Sequence, residues 1–308
     1  MAKLPTPIGV GPEAVPNSIR TRAAAYVALT KPRIIELLLV TTVPTQIVAN
    51  RGMPALWLIV ATVLGGTFAA GGANAINMYV DRDIDRLMDR TKGRPLVTGA
   101  VTPAAALRFA IGLEVVAFFF LWATVNLLSA ALAVAACLFY VFVYTLWLKR
   151  TSKSNIVIGG AAGAVPVLIG WSSITGSLGW APVVLFGVIF IWTPPHFWAL
   201  AVKYKDDYAA ADVPMLPVVA SLHRVSVRIL AYTLALWALS LVFAPVAGMG
   251  NLYIGAAVVL GAVFTGFAVR LWRSQSAKVA MGLFHYSISY ITLLFGAMAI
   301  DQLVRAGR

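Results

Sequence analysis

Residues 74–95 read NAINMYVDRDIDRLMDRTKGRP, and within them a lipophilic run gives way first to carboxylates and then to cations. Asn77, Asp81 and Asp85 recur at intervals of four. On a helix, four residues turn through about 400°, so successive side chains drift by about 40° and the three heads cover roughly 12 Å of one face. Such a face, beside a bilayer, is costly unless something divalent and positive joins it. Carboxylates with an amide oxygen are hard ligands suited to Mg²⁺, which usually also holds a phosphate. Downstream, Arg90, Lys92 and Arg94 add cations placed for the remaining phosphate oxygens. Asp83 points off this face, whereas Asp89 continues it as an outer partner.

The rest of the chain is lipophilic: 60% of its 308 residues are hydrophobic, 11% are charged and the mean hydropathy is +0.86. A soluble domain carries about a quarter charged residues, so this composition predicts an all-α, polytopic membrane bundle. Nine apolar stretches are long enough to cross the hydrocarbon core: 34–50, 56–80, 104–122, 125–148, 155–171, 180–202, 227–246, 251–271 and 283–303. Residues 1–25, with Pro5, Pro7, Pro12 and Pro16, read as a flexible cytosolic tail, and 26–308 as a single intramembrane domain. A net charge of +13 could point to nucleic acid, but its distribution follows membrane topology instead. With the N-terminus inside, every Lys and Arg except Arg51, Arg305 and Arg308 falls on the inner side of the nine spans. That bias predicts a cytoplasmic N-terminus and a periplasmic C-terminus in an inner cell membrane, with the bilayer as partner and no nucleic acid. Cys137 is the one cysteine, so there is no disulfide framework and no thiolate metal site.

A second acidic stretch, KYKDDYAAADVPMLP, follows the sixth predicted span and carries Asp206, Asp207 and Asp212. Four helices separate the two clusters, an offset that preserves orientation and suggests a parallel pseudo-repeat with two facing acid sites. Seven of the eleven acidic residues belong to these clusters, more than a solvated loop requires. Between the fourth and fifth spans, YTLWLKRTSKSN brings Tyr144, Lys149, Arg150, Lys153 and Asn155, either as a topology signal or as a cover over a diphosphate. His196 and Trp198 lie in WTPPHFWAL, inside the sixth span; a lone buried histidine is more often a hydrogen-bonded packing residue than a ligand. The glycines of IGGAAGAVP suit close helix packing better than a phosphate loop, since the Lys-Ser/Thr ending is missing. Glu36 and Glu114 are intramembrane carboxylates with no evident partner.

Taken together these stretches resemble the UbiA superfamily of intramembrane prenyltransferases, and within it the haem-farnesylating branch. The resemblance rests on LTKPRI (29–34), the N-x-x-x-D-x-x-x-D run followed by MDRTKGRPLVTG, YTLWLKR, IGGAAGAVP, WTPPHFWALA, the DY…PMLPVV segment (207–219) and LFHYSISYITLLF (283–295). It implies a helical bundle that transfers the farnesyl group of farnesyl diphosphate to a vinyl group of haem B, with Mg²⁺ as cofactor. It makes Asn77, Asp81 and Asp85 the first metal site and Asp207, with Asp206, the second; Arg90, Arg94, Lys149, Arg150 and Lys153 the diphosphate cradle; and His196 with Trp198 the haem contacts. The second motif departs from the superfamily's D-x-x-x-D, because Ala211 stands four residues after Asp207 and the next acid is Asp212. The resemblance also leaves room for contact with other haem-biosynthesis or terminal-oxidase assembly proteins. Two rivals fit less well. A secondary transporter would place its carboxylates near the bilayer midplane, and a prenyltransferase acting on 4-hydroxybenzoate should lack the WTPPHFWALA and PMLPVV pair.

Overall fold

Where no water can satisfy a backbone amide, a span closes its hydrogen bonds within itself, and the apolar runs of this chain do so as helices. The computed structural model describes residues 18–307, the side chains of 33–39 excepted, and among these residues there is no strand. The helices are α1 (Ile19–Thr30), α2 (Pro32–Ala49), α3 (Leu56–Val80), α4 (Pro103–Thr124), α5 (Leu127–Leu138), α6 (Lys149–Thr151), α7 (Asn155–Thr175), α8 (Trp180–Lys203), α9 (Lys205–Ala210), α10 (Leu216–Val219), α11 (Leu222–Ala247), α12 (Asn251–Ser274) and α13 (Ala277–Ala306). A π-helical stretch, Phe139–Leu148, joins α5 to α6, so the three run as one span, Leu127–Thr151. Eight helices among the described residues are long and apolar enough to cross a membrane, and they coincide with the second to ninth predicted spans. The first predicted span falls on α2, part of whose side chains, Glu36 included, lie outside the described residues.

Helix ends follow local chemistry. Ser18, Thr102, Asn126 and Ser221 cap α1, α4, α5 and α11 through their side chains, and Pro103 takes the first position of α4, where no amide hydrogen is needed. Gly176 and Gly248, both at φ +64°, end α7 and α11 in the left-handed conformation that glycine adopts without strain. The expected tail, 1–25, lies outside the described residues as far as 17. From Ile19 the chain is already helical, because the Ser18 cap starts α1 before the first span.

Around α8, α11, α12 and α13 the interior is filled with large side chains: Trp198, Phe243, Tyr253, Phe264, Tyr290 and Phe295 are all fully buried. The tyrosine hydroxyls find partners, Tyr290 Oη with Ser240 Oγ at 2.8 Å and Tyr253 Oη donating to the Ser240 carbonyl at 2.8 Å. Between α3, α5 and α7 the facing residues are small instead, among them Gly66, Ala69, Ala73, Ala133 and Gly163, and there, across from α8, the bundle is hollow. Glycine is required where helices close around that hollow: a Cβ on Gly170 would lie 2.8 Å from the carbonyl oxygen of Thr42.

Candidate active site

The hollow is a cavity of about 370 Å³, within the usual range for ligand pockets, apolar along its length and cationic at one end. Lys31, Asn77, Asp85, Arg90, Arg94, Lys149 and Tyr208 line the polar end. The first acidic cluster builds it. Helix α3 stops at Val80, yet Asp81 N bonds to Asn77 O and Asp85 N to Asp81 O, each at 2.9 Å, so the four-residue spacing persists past the helix end. Asn77, Asp81 and Asp85 are 3, 0 and 1% exposed, while the side chains of Asp83 and Asp89 are 59 and 84% exposed. Asp83 leaves the face as expected. Asp89 does not continue it: the chain turns away after the 3-10 segment Ile84–Arg86, and Asp89 pairs with Lys92 in solvent at 2.7 Å.

Buried carboxylates need partners. Arg94 Nη1 donates to both oxygens of Asp85, at 2.8 and 2.6 Å, and Lys149 Nζ donates to Asp81 Oδ2. Asn77 Nδ2 donates to the same Asp81 oxygen at 2.8 Å and to Thr145 Oγ1 at 3.1 Å. Lys31 Nζ donates to Asn77 Oδ1 at 2.7 Å. The αL backbone of Lys31, φ +53°, sits between α1 and Pro32, a proline that keeps its predecessor out of the α region. Burial, with Arg94 and Lys149 nearby, pulls its ammonium down to about 7. Outside the cluster Arg150 makes a two-armed bond to Asp83, 2.7 Å on each arm, which holds that carboxyl down at about 2.

Asp81 Oδ1 is buried without a hydrogen-bond partner, the guanidinium of Arg150 lying 3.7 Å away. That open oxygen, together with the donor types of this face, two carboxylates and an amide, suits a hard divalent cation such as Mg²⁺, although the oxygens of Asp85 and Asn77 are held here by Arg94 and Lys31.

The second acidic stretch is placed differently. Asp206 is exposed and Asp207 half-buried on the short helix α9, neither lines the cavity, and among the described residues no three His, Cys, Asp or Glu gather closely enough to hold a metal. The two stretches meet through Arg90, which donates to Tyr208 Oη at 2.9 Å and lies 4.9 Å over its ring. Lys153 is exposed and, like Arg150, does not reach the cavity wall. His196 and Trp198 also turn away from it. His196 Nδ1 pairs with Ser287 Oγ at 2.7 Å, its ring stacked between Trp192 and Phe284, while Trp198 meets Tyr232 on α11. On α8 it is Ile189, Trp192, Thr193 and Phe197 that face the hollow.

Sequence reasoning missed Lys31, Tyr140 and Thr145 as site residues. The π-helical stretch turns Tyr140 and Tyr144 into a stacked pair, 5.4 Å between ring centres, on the cavity wall below the cations. The clue was present in the case of Lys31, a lysine in front of a proline at the mouth of a span.

The sequence profile described as the UbiA prenyltransferase family matches residues 38–292. A protein of Parafrankia sp. (strain EAN1pec) called protoheme IX farnesyltransferase is 58% identical over 287 residues, 92% of this chain and 91% of that one. A second protein of that name, from Frankia alni, is 56% identical and covers 93% of this chain and all of its own length. Among solved structures, a UbiA homologue from Aeropyrum pernix K1 superposes with a TM-score of 0.69 at 19% identity, covering 87% of this chain and 99% of its own. Another, from Archaeoglobus fulgidus and bound to GPP and Mg²⁺, gives a TM-score of 0.63 at 17% identity, covering 89 and 99%.

Proposed function

From the premise that this chain belongs to the UbiA prenyltransferase family, we propose that it transfers the farnesyl group of farnesyl diphosphate to a vinyl group of haem B and adds water to give haem O. The observation that carries the reading is the pairing of a buried, cation-rich carboxylate cluster with an apolar cavity directly beneath it.

Lys31, Arg90, Arg94 and Lys149 bind the diphosphate oxygens through charge-assisted hydrogen bonds. Asn77, Asp81 and Asp85 would hold Mg²⁺, which when bound would supply positive charge to compensate departing pyrophosphate. When the allylic C–O bond breaks, its electron pair leaves with pyrophosphate, and the farnesyl cation faces the stacked Tyr140 and Tyr144 rings, whose π electrons attract positive charge. Ala69, Ala73, Ala136 and Gly163 keep water from it. The vinyl π pair of haem B forms the new C–C bond, the resulting cation beside the porphyrin accepts a water oxygen, and one proton is lost. Trp192 and Phe197 offer the aromatic wall for a porphyrin. His196 instead secures α8 to α13 through Ser287. In the cell the protein sits in the inner membrane with the cation roof toward the cytoplasm, as the distribution of Lys and Arg supports.

Membranes containing the protein, supplied with Mg²⁺, haem B and farnesyl diphosphate, should yield a porphyrin that keeps its iron and one vinyl group and carries a hydroxyethylfarnesyl group in place of the other. Mass analysis of extracted haems decides. Haem B recovered unchanged while 4-hydroxybenzoate becomes prenylated would keep the enzyme class and remove the haem assignment.

A further inference from the structure

The depth of the cavity can be read along its walls. On α3 the lining runs from Asn77 to Thr62, fifteen residues or about 22 Å of helix rise, and on α7 from Ile156 to Ile169, about 20 Å. Each isoprene unit adds four carbon–carbon bonds of about 1.5 Å that advance about 1.25 Å apiece, or about 5 Å. Three units therefore take about 15 Å. What remains, about 5 to 7 Å, accommodates the diphosphate under Lys31, Arg94 and Lys149.

At the far end the lining chemistry is unlike that of the walls. Thr41, Thr42 and Thr62 bring hydroxyls to the cavity there. Behind Thr62 the fully buried Gln46 donates through Nε2 to Thr62 Oγ1 at 3.0 Å and to Ser173 Oγ at 2.9 Å, tying α2, α3 and α7 together. Thr62 in turn donates to the Leu58 carbonyl at 2.8 Å, and Gln46 Oε1 is buried with no hydrogen-bond partner. A fourth isoprene would have to part these bonds and leave further polar groups unpaired in an apolar surround.

We propose, resting on the farnesyl-transfer reading above, that the Gln46–Thr62–Ser173 bridge is a floor that gauges the prenyl donor and stops it at three isoprene units. Gly66 is the graduation just above that floor. It lies about 16 Å of helix rise from Asn77, where the second isoprene gives way to the third, and a Cβ added there meets nothing within 4 Å.

The test offers geranyl, farnesyl and geranylgeranyl diphosphates at equal concentration to membranes containing the full-length protein, with Mg²⁺ and haem B, and ranks the prenylated porphyrins by mass. The same three diphosphates are ranked separately as competitors against radiolabelled farnesyl diphosphate binding, a readout that needs no acceptor. Gly66→Leu should raise the geranyl-to-farnesyl ratio about tenfold, and Gly66→Ala about threefold. Gln46→Ala combined with Thr62→Ala should raise the geranylgeranyl-to-farnesyl ratio about tenfold. Unchanged rankings in the Gly66 variants and in the floor variant would overturn the gauge. Shifted binding ranks with no prenylated porphyrin from any donor would keep the gauge and overturn the haem reading.

Discussion

The two sides of this bundle are built from the same lipophilic alphabet and end up opposite in kind. Around α11, α12 and α13 the facing residues are Phe, Tyr and Leu, and the interior is solid; between α3, α5 and α7 they are Gly and Ala, and it is hollow. Between helices in a bilayer there is little hydrophobic drive, so cohesion comes from van der Waals contact and hydrogen bonds. The filled side has that contact in abundance. The hollow side holds together instead through its edges: the Gln46 bridge at one end, the carboxylate and cation cluster at the other, and close approaches such as Gly170 against Thr42 between them. The lesson is that stability and chemistry are separated here, and substitutions on the two sides should be distinguishable by what they change.

The largest effect belongs to the cluster. Asp81→Asn or Asp85→Asn keeps the volume and removes the charge, so kcat/KM for haem O formation should fall by at least about a hundredfold, while melting temperature falls only by what the unpaired Lys149 or Arg94 costs; a loss of activity no deeper than the loss of folded protein would erase the distinction. Next comes the filled side. Phe264→Ala removes a buried ring that packs, tilted by 48°, against Tyr290 with centres 5.1 Å apart, and should cost about 2 to 4 kcal/mol of unfolding free energy with KM for farnesyl diphosphate unchanged. A raised KM without destabilisation would show that the filled side takes part in binding.

Lys31→Met should weaken farnesyl diphosphate binding by about tenfold to a hundredfold, the usual worth of a buried hydrogen bond to a charged group, as measured by displacement of labelled substrate. Binding equal to wild type would return Lys31 to the role of a topology charge. Asp83→Asn should do least. Its pair with Arg150 is largely solvent-exposed and such pairs contribute under about 1 kcal/mol, so turnover should stay within about threefold; a loss as deep as that of Asp81→Asn would mean that burial is a poor guide to this face.

Much of this was legible in the chain because both signals are local. Apolar length alone locates the eight spans from Leu56–Val80 to Ala277–Ala306, and the four-residue spacing by itself separates Asn77, Asp81 and Asp85 from Asp83. Spacing on one helix does not tell which neighbour that helix turns toward, however. His196 and Trp198 occupy a motif-rich span and face Ser287 and Tyr232 instead of the hollow. Lys31 reaches a partner 46 positions away, which no window along the chain connects. The second acidic stretch repeats the composition of the first, yet α9 is a short helix at the surface and leaves Asp206 in solvent. Nor could periodicity foresee the π-helical stretch, whose wider turn sets Tyr140 over Tyr144.

The measurement that bears most directly on the account is photolabelling with a farnesyl diphosphate analogue carrying a benzophenone at the far end of its chain, followed by peptide mapping. Label competed away by farnesyl diphosphate should fall on α3 near Thr62 and α7 near Ile169, within the hollow. Competable label confined to α11, α12 or α13 would place the donor elsewhere and contradict the assignment of the cavity.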